Sequence, residues 1–395
     1  MKNNSIRSAF KSWKIWLSVC IGLCVTIWMF YSAIQELQYI KVNDSSGNYI
    51  WVDGNSNNKI DFSKDIDFKK SENGNYIKQT FINVIGKINL SSNMLIYFSM
   101  AIVFMMGRDF FYMWRIKLLT KNKLTWKRSF YVIMLWEFAS ALSPGIVGGS
   151  AVAMFILNRE KINLGRSTVI VLISAIMDNL FYILMIPIVL LMIGNASLFP
   201  DEINQSITQI IFWAGYGIIT FICLLMFTIL FLKPHWAKTI ITFLFRFPFL
   251  KRFKDTAIKT GNEIEQSSII MQKEPLSYWV KAFIATCGSW TCRYLVINAL
   301  LQAFIKLSSF EHILLLGKQF VLWLFMLVSP TPGASGVAEF AFSELLSSFS
   351  ESSLIIVSIA IIWRIVSYFP YLFIGVFILP SWLKKRGLIP NTNPH

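Results

Sequence analysis

Two short segments of the sequence combine helix-stopping prolines with glycines inside otherwise apolar stretches. They read Ser143-Pro144-Gly145-Ile146-Val147-Gly148-Gly149-Ser150 and Ser329-Pro330-Thr331-Pro332-Gly333-Ala334-Ser335-Gly336. Proline ends an incoming helix because it has no backbone N–H, and glycine adopts positive φ angles and allows close backbone approach. The half-helices that start at such turns present positive dipole ends, which attract phosphate or carboxylate groups. We therefore expect substrate-binding residues at these turns: Pro144, Gly145, Gly148, Gly149, Pro332, Gly333 and Gly336. The alternative, that the glycines only allow tight helix packing, stays open.

Charged residues inside the apolar stretches are the second group of candidates. Asp178, Arg293 and Arg364 lie deep within three long apolar segments, and Glu339 follows the second turn. A charge in the bilayer interior is costly and therefore marks a functional site by default. Since Asp178 can neutralise at most one arginine, we expect the other to bind an anionic headgroup. Structural ion pairing, for example of Asp178 with an arginine across the bundle, is the alternative for each of these residues.

Signatures of enzymes and cofactors are missing from the sequence. His235, His312 and His395 lie in predicted loops or the tail, and no H-E-x-x-H, P-loop or G-x-S-x-G motif occurs. The five cysteines lie in apolar runs without a C-x-x-C spacing. We therefore expect no cofactor, no metal site, no built-in ATPase and no enzymatic activity.

The composition is that of a polytopic membrane protein. Of 395 residues, 55% are hydrophobic and 15% are charged, against about a quarter charged in soluble domains. The net charge of +16 fits lysine and arginine gathering in cytoplasmic loops. We expect membrane lipids as partners and no nucleic acid.

Loop charges and segment lengths predict the architecture. We expect an all-α polytopic membrane protein with about six transmembrane helices and two oppositely oriented re-entrant helical hairpins, arranged as an inverted repeat as in many transporters. Both termini are expected in the cytoplasm, with the chain in the plasma (inner) membrane. The alternative is that each hairpin is one proline-kinked span.

The chain divides into six predicted segments. These are residues 1–34 (cytoplasmic N-terminus and first helix), 35–87 (polar extracytoplasmic insertion), 88–232 (first helix–hairpin–helix repeat with helix four), 233–275 (basic cytoplasmic loop), 276–380 (second, inverted repeat) and 381–395 (cytoplasmic tail). Within them we predict a strand at 49–52, a helix at 88–106 followed by a basic loop, an interfacial amphipathic helix at 236–253, a span at 276–303 and a single helix at 354–379. Short apolar segments are predicted at 129–142, 313–328 and 337–346.

These motifs resemble the membrane domain of lysylphosphatidylglycerol synthases and their stand-alone, flippase-like relatives. In the first half the resemblance lies in Leu142-Ser143-Pro144-Gly145 with Gly148-Gly149, then Arg159 and Asp178. In the second half it lies in the turn from Ser329 to Glu339, where Ala334 replaces a common glycine, and in Trp363-Arg364 with Tyr368 and Pro370. It covers roughly residues 88–379, and it is more specific in the second half.

The resemblance implies movement of a lipid or a lipid-linked headgroup between leaflets. The soluble aminoacyl-transferase domain of the two-domain members is not expected here, so lysyl transfer is not carried over. Two alternatives stay open: a membrane enzyme or accessory factor of lipid or envelope-glycan metabolism, and a scaffold that binds an envelope protein through residues 35–87.

Overall fold

The structure is a computed structural model of the chain. It describes residues 38–41, 47–54, 67–79, 92–143, 145–194, 198, 205–244, 254–329, 331, 333–350 and 353–386. The predicted first helix at 15–34 lies outside the described residues, and so do Pro144 and Pro332.

The polar insertion contains a small antiparallel sheet. Its strands are β1 (Gln38–Lys41), β2 (Gly47–Trp51), β3 (Phe68–Gly74) and β4 (Tyr76–Gln79), in the order β1-β4-β2-β3. The Phe68 and Tyr76 rings meet edge to face at 5.1 Å, and Tyr49 and Trp51 pack against them. These four aromatic side chains form the sheet's own core. The predicted strand at 49–52 overlaps β2, and the sheet adds a β element to the helical protein that we predicted.

Helices make up the described membrane region. They are α1 (Ser92–Leu119), α2 (Trp126–Leu142), α3 (Gly145–Arg159), α4 (Leu164–Ile193), α5 (Gln205–Phe227, extended by the π-helical turn Thr228–Leu232), α6 (Pro234–Leu244), α7 (Lys254–Gln272), α8 (Leu276–Phe304), α9 (Ser309–Val328), α10 (Val337–Leu346), α11 (Ser353–Ser367) and α12 (Phe369–Lys385).

Five segments of the described chain are long and apolar enough to cross a membrane. They are Ser92–Leu119, Leu164–Ile193, Gln209–Leu232, Ser309–Leu327 and Ile355–Lys385. The protein is therefore an integral, multi-pass membrane protein. Helix α8, which we predicted as a span, has 29 residues but is less apolar. Its polar side chains, such as Thr286 and Ser289, are buried against neighbouring helices rather than exposed to lipid.

Two helix boundaries near the charged residues differ from the prediction. Helix α1 continues thirteen residues past Met106, so Arg108 and Arg115 lie within a helix and not in the predicted basic loop. Both arginines are buried and pair with carboxylates. Because their charges are compensated, they can lie in a helix within the bundle. The predicted helix at 354–379 is two helices that break at Tyr368, because Pro370 cannot continue the backbone hydrogen bonding.

Two further segments contain more helix than predicted. The segment predicted as short at 313–328 starts at Ser309, where Ser308 and Glu311 form a capping box that satisfies the first backbone N–H groups. With 20 residues it is long enough to span the bilayer. The predicted loop at 233–275 contains α6 and α7, and α6 occupies the start of the predicted amphipathic segment.

Several helix ends that carry basic residues meet at one end of the helix bundle. Glu160, after α3, pairs with Arg386 after α12, and its Oε2 lies 3.9 Å from Nε of Arg128 at the start of α2. At the same end the Gly165 N–H donates to Glu263 of α7 at 3.0 Å, and Lys121 pairs with Glu274. The first turn of α2 and the end of α3 therefore lie side by side, as in a helical hairpin.

Candidate functional site

The first charged cluster joins α1, α2 and α12 around Arg108. Its guanidinium contacts Asp109 Oδ1 at 3.0 Å and Glu137 Oε1 at 2.8 Å. It also donates to the Tyr371 hydroxyl, which in turn donates to Asp109 Oδ1 at 2.7 Å. Arg108 is fully buried, and two carboxylates compensate its charge. This arginine therefore serves helix packing and offers no free charge to a ligand.

The second cluster joins α1, α4 and α8 around Asp178. Asp178 accepts from Arg115 Nη1 at 2.5 Å and from the indole N–H of Trp290 at 2.8 Å. Arg115 also donates to Thr286 Oγ1 at 3.1 Å. Asp178 therefore pairs with an arginine across the bundle, as the alternative of structural ion pairing predicts. That arginine is Arg115. Asp178 neutralises neither Arg293 nor Arg364.

The third cluster is built on the second Pro/Gly turn. Arg364 Nε lies 2.7 Å from Glu339 Oε1, and its Nη2 donates to the Gly333 carbonyl at 3.1 Å. The other Glu339 oxygen accepts from the Gly336 N–H at 2.6 Å. Gly333 and Gly336 have φ angles of +57° and +88°, as the turn motif predicts. The Arg364–Glu339 pair therefore fixes the turn, and Arg364 is not available as the unpaired cation that we expected.

Tyr368 connects this turn with the first one. Its hydroxyl donates to the Ala141 carbonyl at 3.2 Å, near the end of α2 where carbonyls lose their helical partners. A Cβ at Gly333 would overlap the Tyr368 ring, so the ring lies directly on the second turn. The two broken segments, that is, the apolar stretches interrupted by the first and the second Pro/Gly turn, therefore meet at Tyr368.

Arg293 lines a cavity between α8, α9 and α11. Its guanidinium lies 5.3 Å from the Trp290 ring centroid, and the cavity walls include Gln319, Trp323 and Trp363. Among the described residues, no carboxylate pairs with the half-buried Arg293. Trp290 also binds Asp178, so the second cluster and the Arg293 cavity share one side chain.

The first turn uses its glycines differently from the prediction. Helix α3 starts at Gly145, and Gly148 and Gly149 lie inside it without positive φ angles. A Cβ at Gly148 would overlap Ser143, and a Cβ at Gly149 would overlap Ser140. These two glycines allow α2 and α3 to approach closely, which is the packing role that stayed open as an alternative.

Several residues of these clusters were not site candidates in the sequence analysis. Arg108 and Arg115 were assigned to a loop by their charge. Tyr368 carried the resemblance to the family, but nothing in the sequence shows that it reaches the first turn. Gln319 gave no signal, since one amide in an apolar segment has no characteristic spacing. Lys318, a further charge in an apolar segment, donates to the Leu345 carbonyl at 2.8 Å and thus caps the end of α10.

The described residues contain no group of three or more His, Cys, Asp or Glu side chains that could hold a metal ion.

Comparison with known proteins gives two matches. The family described as the lysylphosphatidylglycerol synthase TM region matches residues 79–375. A UPF0104 membrane protein of Archaeoglobus fulgidus is 22% identical over 299 residues, which cover 74% of this chain and 89% of that protein. No solved structure matches the chain.

Proposed function

Because this chain belongs to the family of the lysylphosphatidylglycerol synthase transmembrane region, we propose that it moves an anionic lipid, or a lipid-linked anionic headgroup, between leaflets without hydrolysing ATP. It acts as a transporter of the plasma (inner) membrane rather than as an enzyme. The observation that carries this proposal is that no carboxylate among the described residues pairs with Arg293, whereas Arg108, Arg115 and Arg364 each pair with one.

The other cations have partners. Arg108, Arg115 and Arg364 each contact a carboxylate, and Lys318 contacts a backbone carbonyl and the Ser348 hydroxyl. In the described part of the chain, no carboxylate pairs with Arg293, and its guanidinium lies over the Trp290 ring. An arginine near the bilayer centre costs about 2.5–3.5 kcal/mol on insertion scales, so its retention needs compensation from a ligand. Phosphate suits it, since a guanidinium offers bidentate, charge-assisted hydrogen bonds.

The surroundings of Arg293 suit a lipid headgroup. Trp323 and Trp363 cover the cavity with apolar surface, and Arg364, which fixes the second Pro/Gly turn, follows Trp363 in the sequence and lies over its ring. In the proposed mechanism the first broken segment is a re-entrant hairpin, which meets the second Pro/Gly turn at Tyr368 and shields the headgroup near the midplane together with it. The acyl chains stay in lipid, and alternate opening on either side exposes the headgroup to one leaflet and then the other.

A liposome assay tests the proposal. Purified full-length protein is reconstituted with lipids that carry a fluorescent acyl chain, and leaflet exchange is followed by chemical quenching of the outer leaflet. We expect Arg293→Gln to slow exchange of an anionic lipid by about tenfold or more, because one hydrogen-bonded charge contributes about 1.5–3 kcal/mol. Arg293→Lys should retain part of the rate, since lysine keeps the charge without the bidentate geometry.

Lys281→Gln is the matched control, because Lys281 is an exposed cation on the same helix. It should exchange lipid at the wild-type rate. Equal rates for Arg293→Gln and wild type would remove Arg293 from the proposed site. No exchange by wild type, together with product formation in a lipid extract, would favour the alternative of a membrane enzyme.

A further inference from the structure

The cluster around Arg108 contains more negative than positive charge. Nη1 of Arg108 contacts Asp109 Oδ1 at 3.0 Å, and Nη2 contacts Glu137 Oε1 at 2.8 Å. One guanidinium and two carboxylates give a net charge of −1, whereas the pairs formed by Arg115 and by Arg364 are balanced. A surplus charge within the membrane is costly and indicates a site for a cation or a proton.

The groups around this cluster do not offset its surplus charge. Those that face it are Tyr112 and Arg115 of α1, Cys292 of α8, which lies beside Gly107, and Tyr371 of α12. Tyrosine and cysteine side chains are never cationic. Arg115 is paired with Asp178, and Arg364 of the adjoining helix α11 is paired with Glu339. Among the described residues the second carboxylate therefore has no cation of its own.

Arg108 also has a hydrogen-bond donor left over. Its side chain is 1% exposed, and its Nε is buried without a partner among the described residues. Buried donors are normally satisfied by protein or by water, so this atom indicates a water molecule within the cluster. The side chains of Asp109 and Glu137 are 21% and 22% exposed, which connects them with the surface of the bundle. Water therefore supplies protons to the carboxylates and removes them.

A proton fits this cluster better than a metal ion. Hard cations such as Ca²⁺ take about six to eight oxygen ligands, and the described residues contain no acidic, histidine or cysteine group of the size that a metal needs. Asp109 Oδ1 already accepts from Arg108 Nη1 and from the Tyr371 hydroxyl. A proton needs only a single carboxylate oxygen.

The cluster lies next to the contact between the two broken segments. Glu137 precedes Ala141 by four residues on α2, and Tyr371 follows Tyr368 by three. Each is therefore about one helical turn from the hydrogen bond that joins Tyr368 to the Ala141 carbonyl. A change of charge in the cluster acts on the segments that must part when the proposed transport site opens.

We propose that Asp109 and Glu137 share one exchangeable proton, and that its uptake and release couple leaflet exchange to a pH gradient. The proton comes from water and returns to it, so the cluster alternates between a net charge of −1 and zero. It belongs to the pair of carboxylates and not to either one alone. The proton site does not depend on transport, while its coupling role rests on the proposed function.

Infrared difference spectroscopy of the full-length protein in detergent tests the site. A protonated carboxyl group has a C=O stretching band that shifts in D₂O and disappears as rising pH ionises the group. We expect such a band in wild type and its loss in both Asp109→Asn and Glu137→Gln, because either change leaves Arg108 with one carboxylate and no surplus charge. Glu344→Gln, which removes an exposed acid on α10, is the control and should keep the band.

Liposomes test the coupling, with the membrane potential held at zero by valinomycin and equal potassium. Fluorescent phosphatidylglycerol serves as the anionic probe. A pH gradient should enrich it in one leaflet by up to about tenfold per pH unit if one proton moves with each lipid, and the inverted gradient should enrich it in the other. Asp109→Asn and Glu137→Gln should lose this response, and Glu344→Gln should retain it. Enrichment that follows a sodium gradient instead would overturn the choice of a proton.

The two measurements separate this inference from the proposed function. The carboxyl band without any leaflet exchange would support the proton site and overturn transport together with the coupling. Exchange that ignores the pH gradient, in a protein without the band, would overturn the inference and leave transport standing. A band that survives in either single variant would show that the two carboxylates do not share the proton.

Discussion

The intramembrane arginines of this protein differ in what surrounds them. Arg364 forms a buried pair with Glu339, while Arg293 is half-buried and contacts an aromatic ring. Removing one partner of a buried ion pair leaves an uncompensated charge, whereas removing an unpaired charge leaves nothing uncompensated. Substitution of the two arginines should therefore affect different properties: stability at Arg364 and lipid movement at Arg293.

Arg364→Ala should lower the free energy of unfolding by about 3–5 kcal/mol, the range for broken buried pairs. The double variant Arg364→Ala/Glu339→Gln should recover part of that loss, because the unpaired carboxylate is then gone. Thermal unfolding in detergent, followed by loss of the monodisperse peak, measures both. If the double variant is no more stable than the single one, the pair does not account for Arg364. Asp178→Asn should give no such recovery, since Asp178 pairs with Arg115.

At this scale the sequence indicates which residues carry charge into the membrane, but not which residues they meet. Asp178, Arg293, Arg364 and Glu339 stand out because each interrupts an apolar stretch. Their partners are separated by 25 residues for Arg364 and Glu339, and by 63 for Arg115 and Asp178. No local pattern encodes such pairs, so the expected competition of both arginines for Asp178 was wrong.

The helices α2 and α3 approach each other more closely than ordinary side chains allow. Gly149 lies where a Cβ would overlap Ser140 Oγ, with the Ser140 Cα and Cβ atoms 3.0 Å from the same position. Gly149→Ala should therefore destabilise the protein by about 1–3 kcal/mol, as overpacking does. In a Ser140→Ala background the same change should cost less, because the nearest atom is gone.

The comparison is a double-mutant cycle on unfolding in detergent. Gly217→Ala is the control, because a Cβ there meets no atom within 4 Å. Additive effects of Ser140→Ala and Gly149→Ala would show that the two helices do not meet at this point.

Element boundaries were predictable where glycine and proline mark them. The end of α2 at Leu142 and the whole of α10 match the sequence prediction, because each borders a Pro/Gly turn. The capping box at Ser308 was present in the sequence as Ser-x-x-Glu and would have placed the start of α9 correctly. The end of α1 could not be predicted, because Arg108 and Arg115 indicated a basic loop. The carboxylates that neutralise them lie on other helices, and the sequence does not show those contacts.

At the scale of the molecule, the contacts of Glu160 favour a hairpin over a kinked span for α2 and α3. Glu160 ends the second arm and lies beside Arg128 at the start of the first. It also meets Arg386 and Trp382 from the end of the last helix. A single span through both helices would separate Arg128 and Glu160 by the thickness of the bilayer. The basic residues around this end make it the cytoplasmic side in our proposal.

Accessibility from the two sides of the membrane tests this arrangement. Single cysteines replace Asn122, before α2, Lys161, after α3, and Glu72, in β3, all of which are exposed, in a background without the five native cysteines. In right-side-out membranes an impermeant thiol reagent should label only Glu72→Cys, and in inside-out membranes only Asn122→Cys and Lys161→Cys. The reason is that a hairpin returns to the side it entered, while residues 35–87 follow a predicted first span. Labelling of Asn122→Cys and Lys161→Cys from opposite sides would mean that α2 and α3 form one kinked span, against the contact between Arg128 and Glu160.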